Sequence, residues 1–320
     1  MPRTVAVLGY DGAELLDIAC VTSTLAMANG LGALRDPYDV VLVSSGRRPI
    51  TCGPGIELAS GDSLEHVTGP LDTLIVSGGL GHAQAAADPL VTAHVRRLAQ
   101  VSRRVASVCT GASILAAAGL LSGRRVTTHW RFARRLAAQY PAVAVDPDPI
   151  YIRDGNVSTA AGVTSALDLT LSFVQEDHGA ELARLVSRHL ITYLQRPGSQ
   201  AQMSMFTAGP PAEHDIVRRV IDHIESHLGE DIGTAALATL VGLSPRHLSR
   251  LFLADLGVTP GRFVRQARTE AAAHLIATTS LPLPGIATRC GFGSVETLRL
   301  AFSQRYGTSP SRFRALQGSK

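Results

Sequence analysis

Residues 105–119 read VASVCTGASILAAAG and set Cys109 between a β-branched apolar run and a helix of small residues. Ser107 and Gly111 flank the thiol two positions to either side, small enough for the sharp strand-to-helix turn of a nucleophile elbow. A sulfur at such a turn lies near a helix N-terminus, whose partial positive charge favours thiolate and reactivity toward carbonyls or oxidants. Gly78 and Gly79 end another apolar run and offer paired backbone amides to a developing oxyanion. The alternative for such a cysteine is a small core residue at a packed turn.

The elements that must position these groups are short β-branched runs: TVAVLG (4–9), YDVVLVS (38–44), DTLIVSGG (72–79) and RVASVC (104–109). Small-apolar helical stretches alternate with them, LDIACVTSTLAMANG (16–30) and DPLVTAHVRRLAQ (88–100) among them. Continuous apolar strands, each followed by a helix, predict an α/β layer fold with a parallel sheet, which binds ligands at the carboxyl ends of its strands. Cys109 falls at one such end and the diglycine at another.

At 320 residues the chain exceeds one ordinary core and predicts at least two domains. It is 45% hydrophobic and 18% charged, and no apolar stretch approaches the roughly 20 residues a bilayer crossing needs. Cys20, Cys52, Cys109 and Cys290 show neither CxxC spacing nor a disulfide framework, which predicts a reduced cytoplasmic setting. The stretch RPGSQAQMSMFTAGPPAEH (196–214) has linker composition without apolar period. Charge divides along the same line: residues 1–212 hold 17 basic and 17 acidic side chains, whereas residues 244–320 hold 11 and 3. An anionic partner is expected for the carboxy-terminal part, a solvated basic face being the alternative.

Several separated motifs in residues 4 to about 195 carry a resemblance: LLDIA (15–19), LIVSGG (74–79), VCTGASILAAAGLLSGRRVTTHW (108–130) and STAAGVTSALDLTLSFVQEDHG (158–179). They resemble the ThiJ/PfpI superfamily, related to class I glutamine amidotransferases. The resemblance implies a flavodoxin-like sandwich, usually dimeric, with Asp17 facing the sulfur of Cys109 and His129 nearby. Peptidase-like members carry histidine directly after the cysteine, where this chain has Thr110. Related regulators usually continue with Gly-Pro after the acid, where Cys20 and Val21 stand here.

Beyond the linker, IVRRVIDHIESHLG (216–229) lines Ile216, Val217, Val220, Ile221, Ile224 and Leu228 along one helical stripe. His223 and His227 are one turn apart, but Glu225 lies at the wrong offset for HExxH chemistry, so neither a metal nor a cofactor is assigned. An internal repeat then follows at an offset of 50. GLSPRHLSRLFLADLGVTPGRF (242–263) matches FGSVETLRLAFSQRYGTSPSRF (292–313) through Ser244 and Ser294, Leu248 and Leu298, Phe252 and Phe302, Gly257 and Gly307, Pro260 and Pro310, and Phe263 and Phe313. Upstream, Ala238 with Gly242 and Ala287 with Gly291 provide a close helix crossing and a turn, which predicts two helix-turn-helix units.

Residues 214–318 resemble the AraC-type regulators, most specifically through GFGSVETLRLAFSQRYGTSPSRFR (291–314). The resemblance implies two helix-turn-helix units joined by a long helix, about 260–277, with recognition helices 245–255 and 295–305. Base-facing positions would be Arg246, Ser249 and Arg250 in the first and Val295, Glu296 and Arg299 in the second. Arginine suits guanine, and glutamate can accept from cytosine. Where many relatives carry arginine this chain has Leu300, so the second helix is expected to read fewer bases. Arg262, Arg265, Arg268, Arg312 and Arg314 are expected to hold phosphates.

Together the two regions resemble AraC-family regulators of the GlxA type. They predict a ThiJ/PfpI-like sensing and dimerisation domain at 1–195, a linker at 196–213 and a DNA-binding domain at 214–320. The expected partners are double-stranded promoter DNA, RNA polymerase, a small-molecule effector and a second copy of the chain, with no membrane. The alternative is a cysteine-dependent hydratase, amidase or glyoxalase-like enzyme with an attached DNA-binding domain.

Overall fold

The computed structural model describes residues 1–192, 196, 198, 202 and 214–317. The chain divides into two compact units, Met1–Gln202 and Met203–Lys320.

In the first unit seven strands form one sheet: β1 (Arg3–Leu8), β2 (Tyr38–Ser44), β3 (Asp62–Ser63), β4 (Leu71–Val76), β5 (Ser102–Val108), β6 (Tyr151–Asp154) and β7 (Val157–Ala160). Their order is β6-β7-β5-β4-β1-β2-β3, and only the β6–β7 pair is antiparallel. Successive side chains of a strand point to opposite faces, so one run of apolar residues feeds two cores. Ala6, Leu8, Leu74, Val76 and Val105 pack on one face, where they meet α2 (His82–Ala87), α3 (Pro89–Gln100) and α4 (Ala112–Ala117). Val5, Val7, Ile75, Ala106 and Val108 pack on the other, under α1 (Leu15–Leu31), α6 (Thr164–His178) and α7 (Ala180–His189). A further helix, α5 (Trp130–Gln139), follows His129. This doubly covered parallel sheet is the α/β sandwich that the apolar runs predict.

Residues from the expected linker are tied into this unit. The Arg196 guanidinium and backbone N–H bind the buried Asp168 carboxylate, with Nη2 at 2.7 Å. The Gln202 amide donates to the Thr128 carbonyl at 2.8 Å. Residues 203–213 of that stretch lie outside the described residues.

The second unit is helical: α8 (Asp215–Ser226), α9 (Thr234–Leu240), α10 (Pro245–Leu256), α11 (Pro260–Thr278), α12 (Leu283–Arg289), α13 (Val295–Tyr306) and α14 (Pro310–Gln317). The 50-residue repeat recurs as local geometry. Ser244 and Ser294 each cap a recognition helix by accepting from the third residue on, His247 and Thr297. Gly257 and Gly307 end those helices in the left-handed conformation at φ 68° and 65°. Gly242 and Gly291 supply the turns within each motif at φ 70° and 71°. Leu248, Phe252, Leu298 and Phe302 are fully buried, and Phe263 and Phe313 meet Phe252 and Phe302 edge to face.

His223 and His227 stack their rings at 4.1 Å, and Nδ1 of His227 lies 2.9 Å from the His223 carbonyl. Among the described residues no three His, Cys, Asp or Glu side chains gather as metal ligands. No described helix is long and apolar enough to cross a membrane.

Candidate functional site

Cys109 follows β5 directly and opens the turn into α4 with φ 53°, a left-handed conformation strained for a residue with a side chain. Glycines make the room around it. A Cβ on Gly78 would come within 2.4 Å of the Cys109 Cβ and 2.6 Å of the Asp17 carboxylate; one on Gly162 would reach 2.9 Å from the sulfur. Asp17, in the first turn of α1, is 1% exposed. Its two oxygens accept from the Gly78 N–H at 3.0 Å and the Val163 N–H at 2.7 Å. The carboxylate and the thiol expected as neighbours therefore flank the same glycine.

Burial works against the expected thiolate. Burial, reinforced by the Asp17 charge, pushes the Cys109 thiol up to about 12, against weaker lowering by hydrogen bonds from Thr110. Burial likewise raises Asp17 to about 7, although its two backbone donors favour the charged form. The oxyanion expectation for the diglycine fails on hydrogen bonding. The Gly78 N–H is held by Asp17, and the Gly79 N–H by the Thr110 hydroxyl at 2.9 Å, which donates in turn to the Gly79 carbonyl. Among the described residues His129 makes no hydrogen bond to the sulfur. Its Nδ1 accepts from the Arg131 N–H at 3.3 Å and its ring stacks on Trp130, so it caps α5. The Cys109 backbone is fixed from the same segment instead, the Thr128 hydroxyl donating to its carbonyl at 2.8 Å.

Tyr10 and the Gly162–Val163 pair join the site without belonging to the motif residues expected there. The Tyr10 hydroxyl donates to the Ser77 carbonyl at 2.9 Å, and burial raises its pKa, with the Asp17 and Cys109 charges adding to the shift. Val163 has φ 45°, which aims its N–H at Asp17. The legible signal was Gly162 within STAAGVTS, a glycine between a strand and a helix.

In the second unit Arg246 and Arg250 are exposed on α10, while the Ser249 hydroxyl donates back to the Pro245 carbonyl of its own helix. On α13, Glu296 and Arg299 form an exposed i,i+3 pair at 3.5 Å beside the half-buried Val295, and Leu300 is 61% exposed on the same face. Arg262, Arg265 and Arg312 are exposed at or near the amino ends of α11 and α14, positions suited to phosphate oxygens. Two of the expected phosphate contacts are corrected. Arg268 donates to the Leu228 and Glu230 carbonyls at 3.0 and 2.7 Å, and Arg314 to the Ile276 and Leu281 carbonyls at 3.4 and 2.6 Å. Both guanidinium groups tie the ends of preceding helices and are engaged inside the fold.

The DJ-1/PfpI family model matches residues 3–176, the whole sheet and the Cys109 turn. The chain belongs to the DJ-1/PfpI family. A helix-turn-helix domain model matches residues 237–316, both repeats. The HTH-type transcriptional regulator CdhR of Pseudomonas aeruginosa is 30% identical over 95% of this chain and 89% of its own length. An isonitrile hydratase of Pseudomonas putida is 36% identical, but over only 49% of this chain and 71% of its own. The solved structure of a ThiJ/PfpI family protein from Pseudomonas syringae superposes with a TM-score of 0.57 at 26% identity, covering 76% of this chain and 92% of its own. With a DJ-1/PfpI unit followed by two helix-turn-helix motifs, this family member is a sequence-specific DNA-binding transcriptional regulator.

Proposed function

We propose that the DJ-1/PfpI unit is a non-catalytic sensor whose small-molecule effector changes how the helix-turn-helix unit holds promoter DNA. The single observation that carries this reading is the closed state of Cys109. Its thiol is buried with a pKa raised to about 12, and the neighbouring Asp17 carboxylate has both oxygens engaged by the Gly78 and Val163 N–H groups. A working cysteine hydrolase needs thiolate, base and oxyanion donors converging on one substrate atom. Here Asp17, Gly78, Gly79, Cys109 and Thr110 satisfy one another and form a vestigial cluster bordering the effector's seat. Arg246 and Arg250 of α10 and Val295, Glu296 and Arg299 of α13 read bases, with Ser249 in a secondary role. Arg262, Arg265 and Arg312 hold phosphates. The protein acts in the cytoplasm as a homodimer that contacts RNA polymerase.

Cys109→Ala is expected to leave basal operator affinity unchanged and to alter only the response to effector or oxidant, read by footprinting with candidate metabolites. The similarity to an isonitrile hydratase favours a second reading, a cysteine-dependent hydratase with an attached DNA-binding unit. A robust turnover of isonitrile, amide or glyoxal substrate that vanishes in Cys109→Ala would establish that reading and overturn ours.

A further inference from the structure

Beyond α7, the stretch RPGSQAQ (196–202) carries no large apolar side chain, so burial of hydrocarbon does not hold it. Polar contacts do, at three described points. The Arg196 guanidinium and N–H bind the carboxylate of Asp168, a residue only 2% exposed that would otherwise be an unpaired buried charge on α6. The Gly198 carbonyl accepts from the Tyr151 N–H of β6 at 3.3 Å, and the chain passes so close that a Cβ on Gly198 would lie 2.6 Å from the Tyr151 ring. The Gln202 amide donates to the Thr128 carbonyl at 2.8 Å and the Thr127 hydroxyl at 3.0 Å, and its oxygen accepts from the Trp130 N–H at 2.9 Å.

Two of these anchors land beside the Cys109 cluster. Thr128 takes Gln202 on its carbonyl and donates its hydroxyl to the Cys109 carbonyl at 2.8 Å. Arg196 also donates to the Thr164 hydroxyl at 3.0 Å, and the N–H of the preceding residue, Val163, holds Asp17 at 2.7 Å. A shift at the Cys109 turn or at Asp17 therefore moves a residue that fastens this stretch. Single hydrogen bonds have small net worth, and a segment held by them without apolar burial opens more easily than the core beneath it.

We propose that residues 196–202 form a releasable strap, whose docking on Thr128 and Asp168 passes the state of the Cys109 cluster to the second unit. The proposal deepens the sensor reading and rests on it. With the strap docked, the last anchor in the first unit is Gln202, and the first in the second is His214, held by Asp255 of α10. With the strap released, the last anchor becomes Thr192, and the run between anchors roughly doubles, from positions 203–213 to 193–213. The effective concentration of the DNA-binding units in the proposed dimer then falls with roughly the −3/2 power of that length, about threefold.

The test places Gly198→Ala, Gln202→Glu and Thr128→Val in the full chain and reads hydrogen exchange by mass spectrometry beside mobility shifts on the operator. Gly198→Ala removes no hydrogen-bonding group and meets Tyr151 only while the strap is docked. Gln202→Glu keeps an acceptor for Trp130 but sets a carboxylate against the Thr128 carbonyl. Thr128→Val keeps that carbonyl and removes only the hydroxyl on Cys109. Each should speed exchange across 196–202 by about tenfold or more with β4 and β5 unchanged, and weaken operator binding about threefold. Thr128→Ser, which keeps the hydroxyl, should behave as wild type. Faster exchange at unchanged operator affinity overturns the proposal, as does wild-type exchange in Thr128→Val or equal loss in Thr128→Ser and Thr128→Val. Isonitrile turnover that vanishes in Cys109→Ala, found together with the expected shifts, overturns the sensor reading and leaves the strap standing.

Discussion

Asp17 is the residue whose environment most constrains its behaviour with pH. Its folded pKa of about 7 lies above the usual carboxylate value, so the folded state holds its proton more tightly than the unfolded chain. Its contribution to stability is therefore complete below about pH 4 and is lost as pH rises through 7, a swing on the order of 4 kcal/mol. Urea unfolding from pH 4 to 8 should show that decline in the wild type and a flatter curve in Asp17→Asn; parallel curves would show that the carboxyl is not desolvated. Arginine residues divide just as sharply between inside and outside. Arg268→Ala leaves two carbonyls without donors and should destabilise the second unit by about 1 to 3 kcal/mol. Arg262→Ala, at an exposed position, should leave stability intact and lower the salt dependence of DNA binding by about one ion. Melting curves beside a salt titration separate the two, and a reversed pattern would reject both assignments.

At the scale of elements, the repeat was the most legible part of the chain because each of its conserved spacings does one local job. Ser at the cap, Gly at the left-handed end and Phe in the core need no distant partner to be interpreted. The central strands were legible for the same reason, being apolar on both faces. Two kinds of element escaped: β3 is only two polar residues, and β6 and β7 are four-residue strands too short for a period to show, although Gly155 between them turns at φ 62°. At the site, the elbow and the Asp17 pairing were readable from motifs, whereas the state of the sulfur was not. Desolvation and the engagement of both diglycine amides depend on residues that sequence separation hides, Val163 lying 146 positions from Asp17. The outward face of α13 carries a further expectation. Leu300 stands one turn from Glu296, and an exposed aliphatic side chain in a major groove favours a thymine methyl. Leu300→Ala should relax preference for thymine at one position of selected sites, and Arg250→Ala should cost about 1 to 3 kcal/mol at one guanine. Unchanged site profiles in both would put a different face of these helices against DNA.

For the whole molecule, the excess positive charge lies in residues 244–320, within the unit that carries both helix-turn-helix motifs. A fragment spanning residues 212–320 should bind the same operator as the full chain, more weakly and with a steep salt dependence, because the proposed dimer would hold two DNA-binding units at high effective concentration. Electrophoretic mobility shifts across a salt series read this directly, and equal affinity of fragment and full chain would exclude a dimeric operator complex. The Arg268 contact has a larger consequence. It fastens α11 to the end of α8, and Gly291, the turn of the second motif, sits so close that an added Cβ would reach 2.6 Å from the same guanidinium. The contact thus braces the long helix between the two recognition helices at the point where the second motif turns. Inserting one base pair between their subsites rotates one target by about 34° away from its helix. A brace that holds the two helices at one spacing predicts that the insertion lowers operator affinity, and unchanged affinity in a mobility-shift assay would show give in the protein.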